Sequence, residues 1–155
     1  MEEIPSTSPG TEPAPVRPAA ETPRDRNIVL VCAVLLLIGM PVGYLPGTTG
    51  DAIGMAVLSV VSLSLMAGIV FWLVPRQRAA PLNRASRTAL VLGILSVLFV
   101  LVFWTGLPFA FGAGAIALGL SLRESAPPAA RGQPTAAVVL GALAVVASFV
   151  VLLIG

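Results

Sequence analysis

Four apolar runs, residues 27–45, 52–74, 88–122 and 135–155, contain no Asp, Glu, Lys, Arg or His. About 20 such residues in a helix span the hydrocarbon core of a bilayer while bonding every backbone polar group within the segment. The chain is 57% hydrophobic and 10% charged, with a mean hydropathy of +0.98, so it has too few charged side chains to clothe a water-soluble core. The pattern predicts an all-α, polytopic integral membrane protein.

Residues 27–45 give roughly 29 Å of helix at 1.5 Å per residue, close to the thickness of the core. Pro41 removes a backbone donor near the end of this run, where a kink or early termination is expected. Pro46 to Gly50 read as a turn, Asp51 as a cap of the second helix, and Pro75 as its end. The third run is too long for one span. Thr105-Gly106-Leu107-Pro108 is its natural break, because proline favours the first turn of a new helix. The halves are residues 88–104 and 107–122, the latter only about 24 Å long.

The nine basic residues are all arginine. Arg17, Arg24 and Arg26 precede the first run; Arg76, Arg78, Arg84 and Arg87 follow the second; Arg123 and Arg131 precede the last. Cytoplasmic flanks retain positive charge. With five transmembrane helices and a cytoplasmic amino terminus, all nine lie inside; with four, Arg123 and Arg131 move outside. Five spans in the plasma (cell) membrane is therefore the expected multi-pass topology, with four as the alternative count. Tyr44 and Trp104 then fall at the outer interface and Trp72 at the inner one. Arginine without lysine, with abundant Ala, Gly, Pro and Val, points to a GC-rich bacterial genome.

Residues 1–26 carry six prolines and open with Glu2 and Glu3, which argues against a signal peptide and for a disordered, Pro-rich cytoplasmic tail. The expected organisation is this tail, a transmembrane hairpin over 27–75, a basic cytoplasmic loop over 76–87 and a three-span region over 88–155. Within the last region, Ala89-Leu-Val-Leu-Gly93-Ile-Leu-Ser-Val97 echoes Ala137-Val-Val-Leu-Gly141-Ala-Leu-Ala-Val145, with six identities in nine positions. Two such boxes, separated by the Gly-rich segment Leu107 to Gly119 and a loop holding Arg123 and Arg131, resemble the bacterial membrane family known as domain of unknown function 4190. That resemblance implies a small helical membrane domain and no particular activity.

The chemistry that is missing narrows the function. Histidine is absent and Cys32 is the one cysteine, so the commonest general base, a disulfide and a cysteine metal cluster are all unavailable. The spans hold no charged side chain of the kind that marks proton relays and substrate sites. No catalytic, cofactor-binding or metal-ligating residue stands out, and the chain reads as a non-enzyme without cofactors. Small residues recur on one helical face as Ala89, Gly93, Ser96; as Ala110, Gly114, Ala117, Ser121; and as Ala137, Gly141, Ala144, Ser148. Such faces allow close helix approach, either within the bundle or in a homo-oligomer. Ser59, Ser62 and Ser64 could pack or line a polar path, and Cys32 behaves as a small hydrophobe.

The basic flanks adjoin apolar spans, so membrane lipids at the inner leaflet, rather than nucleic acid, are the expected anionic neighbours, above all for the loop Arg76 to Arg87. The tail reads by default as a solvated disordered segment, with docking or phosphorylation through Pro15-Val-Arg-Pro18 and the hydroxyls at Ser6, Thr7 and Ser8 as the alternative; a homo-oligomer or a membrane-protein partner is the candidate protein contact. The expected role is an accessory or scaffold component of the membrane. The alternative is a subunit of an oligomeric channel or transporter for a neutral or apolar solute.

Overall fold

The structure, a computed structural model, describes residues 22–43 and 49–154, which are helical but for short connections, with no strand among them. The helices are α1 (Pro23–Gly43), α2 (Thr49–Gly68), α3 (Val74–Arg78), α4 (Leu82–Phe99), α5 (Leu107–Ser125) and α6 (Gly132–Ile154). Among the described residues, three stretches are long and apolar enough to cross a membrane: Ile53–Arg78, Leu82–Val102 and Gly132–Ile154, with mean hydropathies of 2.4, 2.2 and 3.0.

The first helix begins earlier than its apolar run. Pro23 takes the first helical position, where its missing N–H costs nothing. The Thr22 carbonyl accepts from the Asp25 N–H at 2.9 Å, and Asp25 Oδ2 accepts from the Thr22 N–H at 3.3 Å, the return arm of a capping box. Residues 22–26, expected in the tail, thus start α1; the rest of the tail lies outside the described residues. The helix passes Pro41 and stops at Gly43, and the turn after it, with Tyr44, also lies outside them. Because α2 starts at Thr49, Asp51 falls inside its first turn rather than ahead of it, and the expected cap by its side chain is outside the described residues.

Pro75 does not close the second helix. A single π turn, Ile69–Leu73, joins α2 to α3, and the chain stays helical to Arg78. Proline in a regular helix clashes with the carbonyl four residues back and leaves it without a donor. Widening the preceding turn into a π bulge relieves that conflict. The break expected after residue 104 is present. Val100–Thr105 tightens to a 3₁₀ helix with a kink at Val102, Gly106 adopts a left-handed φ of 72°, and α5 opens with Pro108 in its first turn. The helix then extends to Ser125, three residues past the expected end and roughly 29 Å in all.

Close approaches set the direction of each helix. Gly112 meets Gly141 and Val145 of α6, whereas Gly119 meets Pro134 and Val138, so α5 and α6 are antiparallel. Ser96 meets Pro108 while Leu92 meets Gly114, so α4 opposes α5 as well. Hence α4 and α6, which carry the two echoing boxes, run parallel and pack together, with Gly93 against Ala137 and Leu140. Ser62, Ile69 and Arg78 meet Thr105, Gly114 and Ser121 in that order, which makes the second helix parallel to α5. Leu36 lies against Gly106, Arg24 against Ser121, and Gly39 against Leu152, so α1 runs with α6. The bundle therefore alternates direction at each connection. All eight described arginines lie at one end, which we call the basic end; Arg17 is outside the described residues.

The core is built of small residues and the perimeter of large ones. Ala85, Ala89, Ala113, Ala117, Ala137, Ala144 and Ser96 are fully buried, whereas Val60, Leu98 and Val146 are 63%, 57% and 61% exposed. In water this arrangement would squander the hydrophobic effect. In lipid it is favourable, because burying a large apolar side chain gains little there and close backbone approach gains dispersion. Where α5 crosses α6, a Cβ on Gly141 would lie 2.9 Å from the Gly112 carbonyl oxygen. The three small-residue faces thus pack inside this chain. Phe99 and Phe111 stack at 5.3 Å between α4 and α5 beside the break.

Candidate functional site

The described charged groups with side-chain partners converge at the basic end, where the starts of α1 and α4 meet the ends of α3 and α5. Asp25 is carried into the bundle by the first turn of α1 and is 2% exposed. Its Oδ1 accepts a hydrogen bond of 2.7 Å from a terminal nitrogen of Arg78, whose side chain is 11% exposed. The same Arg78 nitrogen donates to Ser121 Oγ on α5 at 2.6 Å. Arg24, one residue before Asp25, pairs with Glu124 and reaches Ser121 Oγ at 3.4 Å. Three elements distant in sequence are thereby tied through two carboxylates, two guanidiniums and one hydroxyl.

Burial raises the Asp25 pKa, but hydrogen bonds from Arg78 and Thr22 together with the Arg78 charge outweigh it. The carboxyl is held below its ordinary value, so Asp25 is ionised at neutral pH. Ser121 donates its own proton to the Ala117 carbonyl at 2.8 Å and accepts from both arginines. The Ser121 proton is thus engaged by a backbone carbonyl rather than by a general base. What this arrangement does is clamp helices. The Nε atoms of Arg24 and Arg78 are buried without an acceptor among the described residues.

Other singled-out residues fall elsewhere. Ser62 is buried and donates to the Thr105 carbonyl at 2.5 Å, which ties the second helix to the break. Ser59 is half-buried and Ser64 exposed, so the three serines do not share one lining. Ser96 Oγ, fully buried, donates to the Pro108 carbonyl at 2.8 Å across the other side of the same break. Cys32 is packed in the core at 3% exposure. No group of three His, Cys, Asp or Glu able to hold a metal occurs among the described residues.

Residues 76–87, expected as a loop, are helical up to Arg78 and again from Leu82, and their arginines divide their labour. Arg78 turns inward to the clamp, whereas Arg76 stacks 3.8 Å over the ring of Trp72, itself 61% exposed on the bundle perimeter. Arg84 and Arg87 are exposed on α4. The sequence reading treated Arg78 as one of four lipid-facing cations and missed Asp25. A carboxylate one turn before an apolar run, in the capping sequence Thr22-Pro-Arg-Asp25, was the available signal. Compared with family models, curated proteins and solved structures, the chain finds no match.

Proposed function

We propose that this chain is a five-span protein of the plasma membrane with a cytoplasmic amino terminus, acting without enzymatic chemistry as an accessory or scaffold component. The observation that carries this reading is where the buried polar groups go. The Asp25–Arg78–Ser121 clamp and the Ser62 and Ser96 bonds to the break join helix to helix, whereas Ser148 Oγ on α6 is buried without a partner among the described residues. The alternating directions and the gathering of eight arginines at one end support five crossings with that end inside. In this topology α1 and α5 are the two crossings added to the three most apolar ones. The parallel packing of the two boxes on α4 and α6 is compatible with the proposed likeness to domain of unknown function 4190 over residues 88–155.

Two experiments test the proposal. A reporter fused after Gly155 should be active only outside the cytoplasm; cytoplasmic activity rules out five spans with the basic end inside. In-cell crosslinking and affinity purification should compare the full chain with one lacking residues 1–21, a boundary that leaves the Thr22–Asp25 helix start intact. A specific partner lost with the tail supports an adaptor that docks through it. Identical self-crosslinked products from both rule out docking by the tail.

A further inference from the structure

On the side of the bundle away from α4, a cleft of about 390 Å³ runs between α1 and α6 and opens sideways. This lies within the roughly 300–1,000 Å³ typical of small-molecule sites. Val31 of α1 and Ala142 and Val146 of α6 form its walls, and Ile116 of α5 its floor. Asn27 and Arg24 mark its basic end. Ile116 is followed on the same face of α5 by Leu120 and then by Arg123 and Glu124, at the i+4, i+7 and i+8 positions. Leu120, Arg123, Glu124 and Arg131 line the next hollow along this face.

The charges in that hollow do not balance. Glu124 pairs with Arg24, while Arg123 and Arg131 have no carboxylate partner among the described residues. Arg131 is held towards α5 by its Nε, which donates to the Ala126 carbonyl at 3.0 Å. Its remaining guanidinium donors stay free to point outward. An apolar slot at the depth of the spans therefore leads into a pair of uncompensated guanidiniums at the depth of headgroups.

We infer that this face binds one anionic phospholipid, its acyl chain lying in the α1–α6 cleft and its phosphate between Arg123 and Arg131. The occupant follows from the complementarity: a chain of methylenes for the walls and a phosphate for the two planar forks. A soluble phosphate compound would leave the cleft unfilled, and a neutral lipid would leave the arginines unpaired. This lipid site is separate from the loop Arg76 to Arg87, and it rests on the membrane reading proposed above.

The test uses the full chain purified in a mild detergent, with phosphatidylglycerol and phosphatidylcholine added in turn and bound lipid counted by native mass spectrometry. The expected result is retention of phosphatidylglycerol over phosphatidylcholine. Arg123→Gln with Arg131→Gln should weaken that retention roughly thirtyfold, about fivefold for each guanidinium lost near an anionic group. Ala142→Phe, which fills the cleft from an exposed position, should also release the lipid, and Val146→Phe serves if the first variant melts early. Arg84→Gln with Arg87→Gln, which touches only the diffuse charge of residues 76–87, should weaken retention by less than about fivefold. Equal loss from that second arginine pair means diffuse charge and overturns the site. Unchanged retention when both phenylalanine variants are folded overturns the cleft. Recovery of the chain from cells without detergent would instead refute the membrane reading itself, an outcome distinct from either.

Discussion

Replacing Asp25 by alanine isolates the clamp. The substitution removes a carboxylate that is 2% exposed and leaves Arg78, 11% exposed at its side chain, without its counter-charge. Surface ion pairs contribute about 0–1 kcal/mol, but stripping one partner from a buried pair costs about 3–5 kcal/mol. The 2.7 Å bond, the shared Ser121 and the loss of the Thr22 return bond place Asp25→Ala in the upper class. Its unfolding equilibrium should move by at least a hundredfold, read by titration with a denaturing detergent in mixed micelles. The double change Asp25→Leu with Arg78→Met removes both charges and should recover most of the loss, because desolvation is no longer imposed on an orphan. A loss under about 1 kcal/mol in the single variant, or additive losses in the double, would refute the clamp. The pH dependence has a definite sign. Since the folded carboxyl titrates below its ordinary 3.8, this stabilisation is complete above that value and is lost only as pH falls below it. Asp25→Asn should flatten that acid limb and leave the range from pH 5 to 8 level.

At the α5–α6 crossing, Gly141→Val should destabilise by about 1–3 kcal/mol, because its new atoms face the Gly112 carbonyl and the Ala115 methyl; the same micelle titration measures it. Gly106→Ala should cost about 1–2 kcal/mol from its left-handed φ alone, with a further penalty because the added Cβ lies 2.7 Å from Leu36 Cδ1 and Ser62 Oγ. Ser62→Ala should lose about 0.6 kcal/mol and increase hydrogen exchange at the break, whereas Ser64→Ala, exposed on the same helix, should leave both unchanged.

What could be read from the chain was what repeats locally. The apolar runs, the Gly106-Leu-Pro108 break and the three small-residue faces follow from periodicity or from one residue's backbone chemistry, and each recurs in the structure. The faces named their own helices but not their partners, since Ala and Gly at helical spacing suit a neighbour in the same chain or in another copy. Pro75 shows the limit of local rules. A proline ends a helix when solvent competes for the freed carbonyl, yet in lipid continuing through a π turn is the cheaper course. The clamp was illegible for a different reason. Asp25 and Arg78 are 53 positions apart, and Arg24 and Glu124 are 100 apart, so no window along the sequence brings them together. Only the alternating bundle does.

The π turn at Ile69–Leu73 also sets angular phase. One additional residue in a turn rotates everything beyond it by about 100° relative to an unbroken α-helix. Downstream of that offset, Arg78 faces Asp25 and Ser121 while Arg76 remains on the perimeter over Trp72. Deleting a single residue between Ile69 and Leu73 would make the helix more regular and swing Arg78 away from its acceptors. The irregular turn is thus the indexing element of this bundle, and the more ideal helix would belong to the less stable protein.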